Sequence, residues 1–216
     1  MLLILGQARS GTSAIAGVLD NLGYNFGKPL QRADHFNPNG YYTNLIFKDL
    51  HLKMNKGITP ELTEQYKTYV STFKEPWALK CHAIYPHLNK IGHLLPITHI
   101  IHTYRNPHDS ALSLARKRGS ADVDNAREFI DSNLLHIQRF VHNYPTLYIN
   151  FVEFEKTAEL VYKIADFVKL EPNHKAIECL VSARTKPTHP VHRIQHEHKI
   201  GKVGEIKPKG CGCGKS

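Results

Sequence analysis

Gly6-Gln7-Ala8-Arg9-Ser10-Gly11-Thr12-Ser13 decides the fold. The apolar run Leu2-Leu3-Ile4-Leu5 leads directly into it, and Ala14-Ile15-Ala16-Gly17-Val18-Leu19 follows with apolar residues at helical spacing. This order predicts a strand, a tight loop bracketed by glycines, and a helix. Such a loop turns backbone N–H groups toward an anion, and the helix N-terminus adds a favourable dipole. Gly6 and Gly11 keep Walker A spacing, but Thr12-Ser13 stand where a nucleotide kinase has Lys followed by Ser or Thr. The lysine that would reach the β- and γ-phosphates is missing, and Arg9 puts a cation inside the loop instead. The stretch is built for a phosphate-like group, but not for ordinary ATP chemistry.

Outward from the loop, further strands alternate with helices. Residues 44–55 and 60–73 read as helices, 77–80 as a short strand and 84–95 as a helix. Residues 98–104 are β-branched and apolar, which predicts a buried strand. Helices are expected over 108–118, 124–143 and 157–169, with a strand at 146–151. This alternation predicts a three-layer α/β fold of the P-loop type, with a mostly parallel central sheet flanked by helices. Ligands in such sheets gather at the carboxyl ends of the strands. Residues 24–43 read as an irregular segment rich in Asn, Gly and Pro. One domain is expected over residues 1–207, with a flexible Gly/Cys/Lys tail at 208–216.

The chain has 216 residues, with 28 Lys and Arg against 19 acidic residues, a formal net charge of +9. That balance suits a polyanionic ligand or an acidic partner. From Arg193 onward there are six Lys or Arg against two Glu, so much of the excess lies at the end of the chain. No helix-turn-helix, zinc-finger or RNA-binding signature is visible, so nucleic acid is not the expected partner. No apolar run approaches the ~18–20 residues of a membrane span. The apolar N-terminal run is too short for a signal peptide, and a cytoplasmic location is expected. The four cysteines, Cys81, Cys179, Cys211 and Cys213, form no disulfide framework. The histidines at 189, 192, 196 and 198 lack a metal-ligand spacing, so no metal is expected.

Three later stretches carry chemistry-bearing residues. Lys80-Cys81-His82 falls at the end of a predicted strand, whose alternation would place Lys80 and His82 on one side. Histidine suits base work near neutrality. Tyr104-Arg105-Asn106-Pro107 ends the next strand and opens a helix in which Ser113 follows Arg105 by eight residues. A guanidinium at a strand end fits a phosphate in bidentate fashion. Lys199-Ile200-Gly201-Lys202-Val203-Gly204-Glu205-Ile206-Lys207 adds a late segment of glycines and cations.

Together these stretches resemble the sulfotransferases that use 3′-phosphoadenosine 5′-phosphosulfate (PAPS). Ala8-Arg9-Ser10-Gly11-Thr12-Ser13 is similar to that family's loop for the 5′-phosphosulfate. Arg105 and Ser113 match its pair for the 3′-phosphate, and Lys80-Cys81-His82 its Lys-x-His. Asn37-Pro38-Asn39-Gly40-Tyr41-Tyr42 resembles a turn of many prokaryotic members, which often carry Glu next, where this chain has Thr43. The resemblance implies a sulfo transfer from PAPS to a hydroxyl or amine of a small-molecule or carbohydrate acceptor, leaving 3′,5′-adenosine bisphosphate (PAP).

Under that resemblance His82 is the general base, and Lys80 and Arg9 support charge on the transferring group and the leaving phosphate. Cofactor contacts fall to Gly6, Gln7, Ala8, Arg9, Ser10, Gly11, Thr12, Ser13, Arg105, Ser113, Lys199, Gly201 and Lys202. Asp34 and His35 are the next candidates for the base. The alternatives are a P-loop nucleotide kinase and a non-catalytic basic module that binds nucleotides or nucleic acid. Neither the acceptor nor the oligomeric state is legible in the sequence.

Overall fold

The computed structural model describes residues 1–184. Among them four strands form one parallel sheet: β1 (Leu2–Gly6), β2 (Ala78–Leu79), β3 (His99–Tyr104) and β4 (Thr146–Asn150). The spatial order is β2-β1-β3-β4. β1 is therefore central, and all five of its residues are buried, as its continuous apolar run requires. Leu3 lies opposite Leu79 on one side and Ile100 on the other, and Gly6 pairs with Thr103 at the carboxyl end.

Helices cover both faces of the sheet. On one face α1 (Thr12–Asn21), α7 (Thr157–Val168) and α8 (His174–Arg184) pack against Leu2, Ile4, Ile101 and Ile149. On the other face α2 (Leu45–Met54), α3 (Pro60–Ser71), α4 (Leu88–Ile91) and α6 (Val123–Val141) pack around Leu3, Leu5, Leu79 and Ile100. α5 (Pro107–Arg118) packs Ala111, Leu114 and Ala115 against Ala126 and Ile130 of α6. The expected three-layer α/β fold of the P-loop type is present. No helix of the described residues is long and apolar enough to cross a membrane.

Most expected elements fall within one or two residues of their places. Residues 84–95 differ: they form 3₁₀ turns at His82–His87 and Gly92–Leu94 around the single turn of α4. Pro86, inside the first of these, cannot supply the N–H that a continuous α-helix needs. A further 3₁₀ turn at Phe151–Glu155 and the helix α8 carry no expectation from the sequence.

Candidate functional site

β1 ends at Gly6, and the loop behind it is shaped by close approach. A Cβ at Gly6 would stand 2.2 Å from Thr103 Oγ1 of the neighbouring strand, so only hydrogen fits. Gly11 has a φ of +94°, and a Cβ there would meet the Phe154 ring at 2.5 Å. Arg9 takes a left-handed φ of 69°, a strained choice for a residue with a side chain. The Ser10 N–H closes the turn on the Gln7 carbonyl. The N–H groups of Ala8, Arg9, Gly11, Thr12 and Ser13 find no acceptor among the described residues. Five unpaired donors, from the loop into the first turn of α1, form a cradle for an anion.

The loop's side chains divide into a scaffold and a cradle. Ser10 is fully buried, and its hydroxyl donates to the Gln7 carbonyl and lies 2.7 Å from Thr103 Oγ1. Gln7 is also buried, and its amide donates to the Arg105 carbonyl at 2.6 Å and to Ser110 Oγ at 3.0 Å. Both side chains brace the loop. The Tyr85 hydroxyl pins Gly6 from below, donating to its carbonyl at 2.8 Å and accepting its N–H at 3.1 Å. The Thr12 hydroxyl has no partner among the described residues, while Ser13 Oγ accepts Asn37 Nδ2 at 3.0 Å.

The structure brings Arg9, Arg105 and Ser113 together. Arg9 Nε donates to Ser113 Oγ at 3.0 Å, and an Arg105 terminal nitrogen donates to the Arg9 carbonyl at 3.3 Å. The Arg105 guanidinium also lies 4.3 Å from the centre of the Phe151 ring. This placement follows from β3, which ends beside β1 and passes its chain straight into α5. There Asn106 accepts the His108 N–H and Pro107 occupies the first turn. Burial holds the pKa of Arg9 below its ordinary value, and the neighbouring Arg105 acts in the same direction.

Lys80 and His82 lie close by, in a different arrangement from the expected one. β2 ends at Leu79, so strand alternation does not extend through Lys80 to His82. Lys80 is 2 % exposed, and its ammonium donates to the Tyr41 carbonyl at 3.1 Å and to Thr43 Oγ1 at 3.3 Å. It secures the Asn37–Thr43 turn rather than reaching into the loop. Burial lowers its pKa to about 8, with Lys117, Arg9 and Lys48 adding repulsion. His82 opens the first 3₁₀ turn with its ring against Tyr85, and its Nε2 is buried without a partner. Burial, then the charges of Lys80 and Lys117, keep its pKa well below that of a free histidine.

One cation of the site carries no sequence expectation. Lys117 of α5 donates to the Tyr41 hydroxyl, which donates in turn to Asp34 Oδ2 at 2.5 Å. Its helical spacing was the available signal, because Lys117 follows Ser113 by four residues and shares its face of α5. Burial pushes the Asp34 carboxyl up, but the Tyr41 hydroxyl, the Asn37 and Phe36 N–H groups and the Lys117 charge together hold it below the ordinary carboxylate value. Lys199, Gly201 and Lys202 lie outside the described residues. Among the described residues no group of three or more His, Cys, Asp or Glu side chains could hold a metal ion.

No protein-family model matches the chain, and no curated protein matches it. Among solved structures it is similar to a deoxyadenosine kinase from M. mycoides with bound dCTP. The two share 14 % identity and a TM-score of 0.45, over 77 % of this chain and 99 % of that one. A likeness this distant does not say what the chain binds.

Proposed function

We propose that the chain is a sulfotransferase that moves the sulfo group of PAPS to a hydroxyl or amine of a small-molecule or carbohydrate acceptor. The observation that carries this reading is the assembly of Arg9, Arg105 and Ser113 beside the loop. It offers a second anion position next to the N–H cradle, which suits a cofactor with both a 5′-phosphosulfate and a 3′-phosphate. The lysine that a kinase loop needs is absent at Thr12. A kinase would also want a carboxylate at a strand end, where the described strands end on Gly6, Leu79, Tyr104 and Asn150.

In the transfer the acceptor oxygen or nitrogen attacks sulfur in line. Its bond to sulfur forms as the S–O bond to the 5′-phosphate breaks, and that electron pair stays on the phosphate oxygen of PAP. The loop N–H groups and Arg9 stabilise the charge that develops there. The acceptor proton passes to His82. Its Nε2 has no other partner among the described residues, and burial keeps its ring neutral at the cost of some basicity.

Calorimetry with PAP, AMP and ATP with magnesium tests the reading. PAP is expected to bind at least about tenfold more tightly than AMP, as one charge-assisted hydrogen bond allows. Equal affinity for PAP and AMP overturns it, and preference for ATP with magnesium supports the kinase instead.

A further inference from the structure

Lys117 leaves α5 one helical turn beyond Ser113, whose hydroxyl already accepts Arg9 of the loop. This face of α5 is therefore turned toward the cradle. The Lys117 ammonium donates to the Tyr41 hydroxyl and lies 4.2 Å from the centre of that ring and 5.9 Å from that of Phe36. No carboxylate pairs with it directly among the described residues. Asp34 shares the Tyr41 hydroxyl with it, and the Asp34 charge acts on the ammonium across that bridge.

Of the other cations, Lys80 is sealed against Tyr41 and Thr43, while Arg9 and Arg105 already answer for the leaving phosphate and the 3′-phosphate in the proposed reaction. Lys117 meanwhile lies within electrostatic reach of Arg9, Lys80 and His82. Partial burial and the Arg9 charge disfavour the ammonium, and among the described residues only Asp34 offsets them. An ammonium whose own hydrogen bond goes to a hydroxyl therefore gains when a further anion arrives. Its three donors swivel, so it can turn from Tyr41 to a new oxygen without moving the backbone.

We propose that Lys117, on the face of α5 that Ser113 turns to Arg9, is the cation that meets the sulfo group of PAPS. The inference rests on the sulfotransfer reading and adds to it the group that distinguishes donor from product. PAPS and PAP differ only by the sulfo group, so the ratio of their affinities isolates a contact to that group and needs no acceptor.

The experiment is calorimetry of PAPS and PAP with the full chain and with Lys117→Met, Lys117→Arg and Tyr41→Phe, each checked for folding by thermal melting. Lys117→Met is expected to lose about ten- to a hundredfold in PAPS affinity while PAP affinity changes little, the size of one charge-assisted hydrogen bond. Lys117→Arg keeps the charge and should keep most of the PAPS preference. Tyr41→Phe should keep the wild-type ratio. An unchanged ratio in a folded Lys117→Met overturns the inference, since Lys117 would then serve another group. A Tyr41→Phe ratio as low as that of Lys117→Met also overturns it, by assigning Lys117 to holding Tyr41. A wild type that binds neither compound removes the sulfotransfer reading itself, and the inference with it.

Discussion

Arg9 Nε donates to Ser113 Oγ at 3.0 Å, across 104 residues of chain. That bond joins the loop after β1 to the helix after β3, the two strands that lie side by side in the middle of the sheet. It turns two separate sequence motifs into one site. It also draws the loop's own cation toward the Arg105 side.

Arg105 should report on that site most directly. Among the described residues its guanidinium meets a backbone carbonyl and an aromatic face, so Arg105→Ala leaves the core intact. PAP affinity is expected to fall about ten- to a hundredfold, the worth of a charged hydrogen bond. Calorimetry on the folded variant measures it, and an unchanged affinity would remove Arg105 from the site.

Gly11 tests the shape of the loop. Gly11→Ala must adopt a left-handed φ and push into the Phe154 ring at 2.5 Å. A loss of about 1–3 kcal/mol in stability is expected, within the usual range for strain and overpacking. Urea unfolding checks the stability and calorimetry the accompanying loss of PAP binding. Full stability with full binding would show that the loop does not need glycine there.

His82 carries a prediction about pH. Its pKa lies well below 6.5, so the base stays deprotonated as the pH falls through the range where a free histidine charges. Turnover of labelled PAPS with an accepted hydroxyl compound is therefore expected to show no acidic limb near pH 6.5. His82→Ala should keep PAP affinity and lose about 10²–10⁴-fold in turnover. Full activity in that variant would return the search to Asp34.

Buried histidines should make the fold sensitive to acid. Burial lowers His51 to about 3, with His87 contributing, and lowers His102 to about 4. Both ring nitrogens of His102, and Nδ1 of His51, are buried without a partner. Between pH 6.5 and those folded values the unfolded chain binds protons that the folded chain refuses, so stability falls as the pH drops. The loss at pH 5 is about 2 kcal/mol for each ring. Urea unfolding at pH 7 and pH 5 should show the drop, and His51→Gln should make it smaller. Equal stability at the two pH values would contradict the burial of both rings.

The sequence by itself determined the strand–loop–helix start and the parallel alternation. Both rest on local pattern: a continuous apolar run for a strand buried on both faces, and glycines where a loop turns tightly. It also marked Arg9 by its place between the loop glycines, and Arg105 and Ser113 through the resemblance to the 3′-phosphate pair of PAPS-dependent sulfotransferases. Only the tertiary structure decided what those residues touch. Lys80 was legible as a cation near a strand end, yet it is sealed against Tyr41 and Thr43 because β2 stops at Leu79. The side chains of Ser10 and Gln7 brace the loop through long-range partners on β3 and α5. Lys117 meets Tyr41, 76 residues away, only because the Asn37–Thr43 turn folds back over the loop. Hydrogen bonds at that sequence separation follow from packing, and local pattern does not encode them.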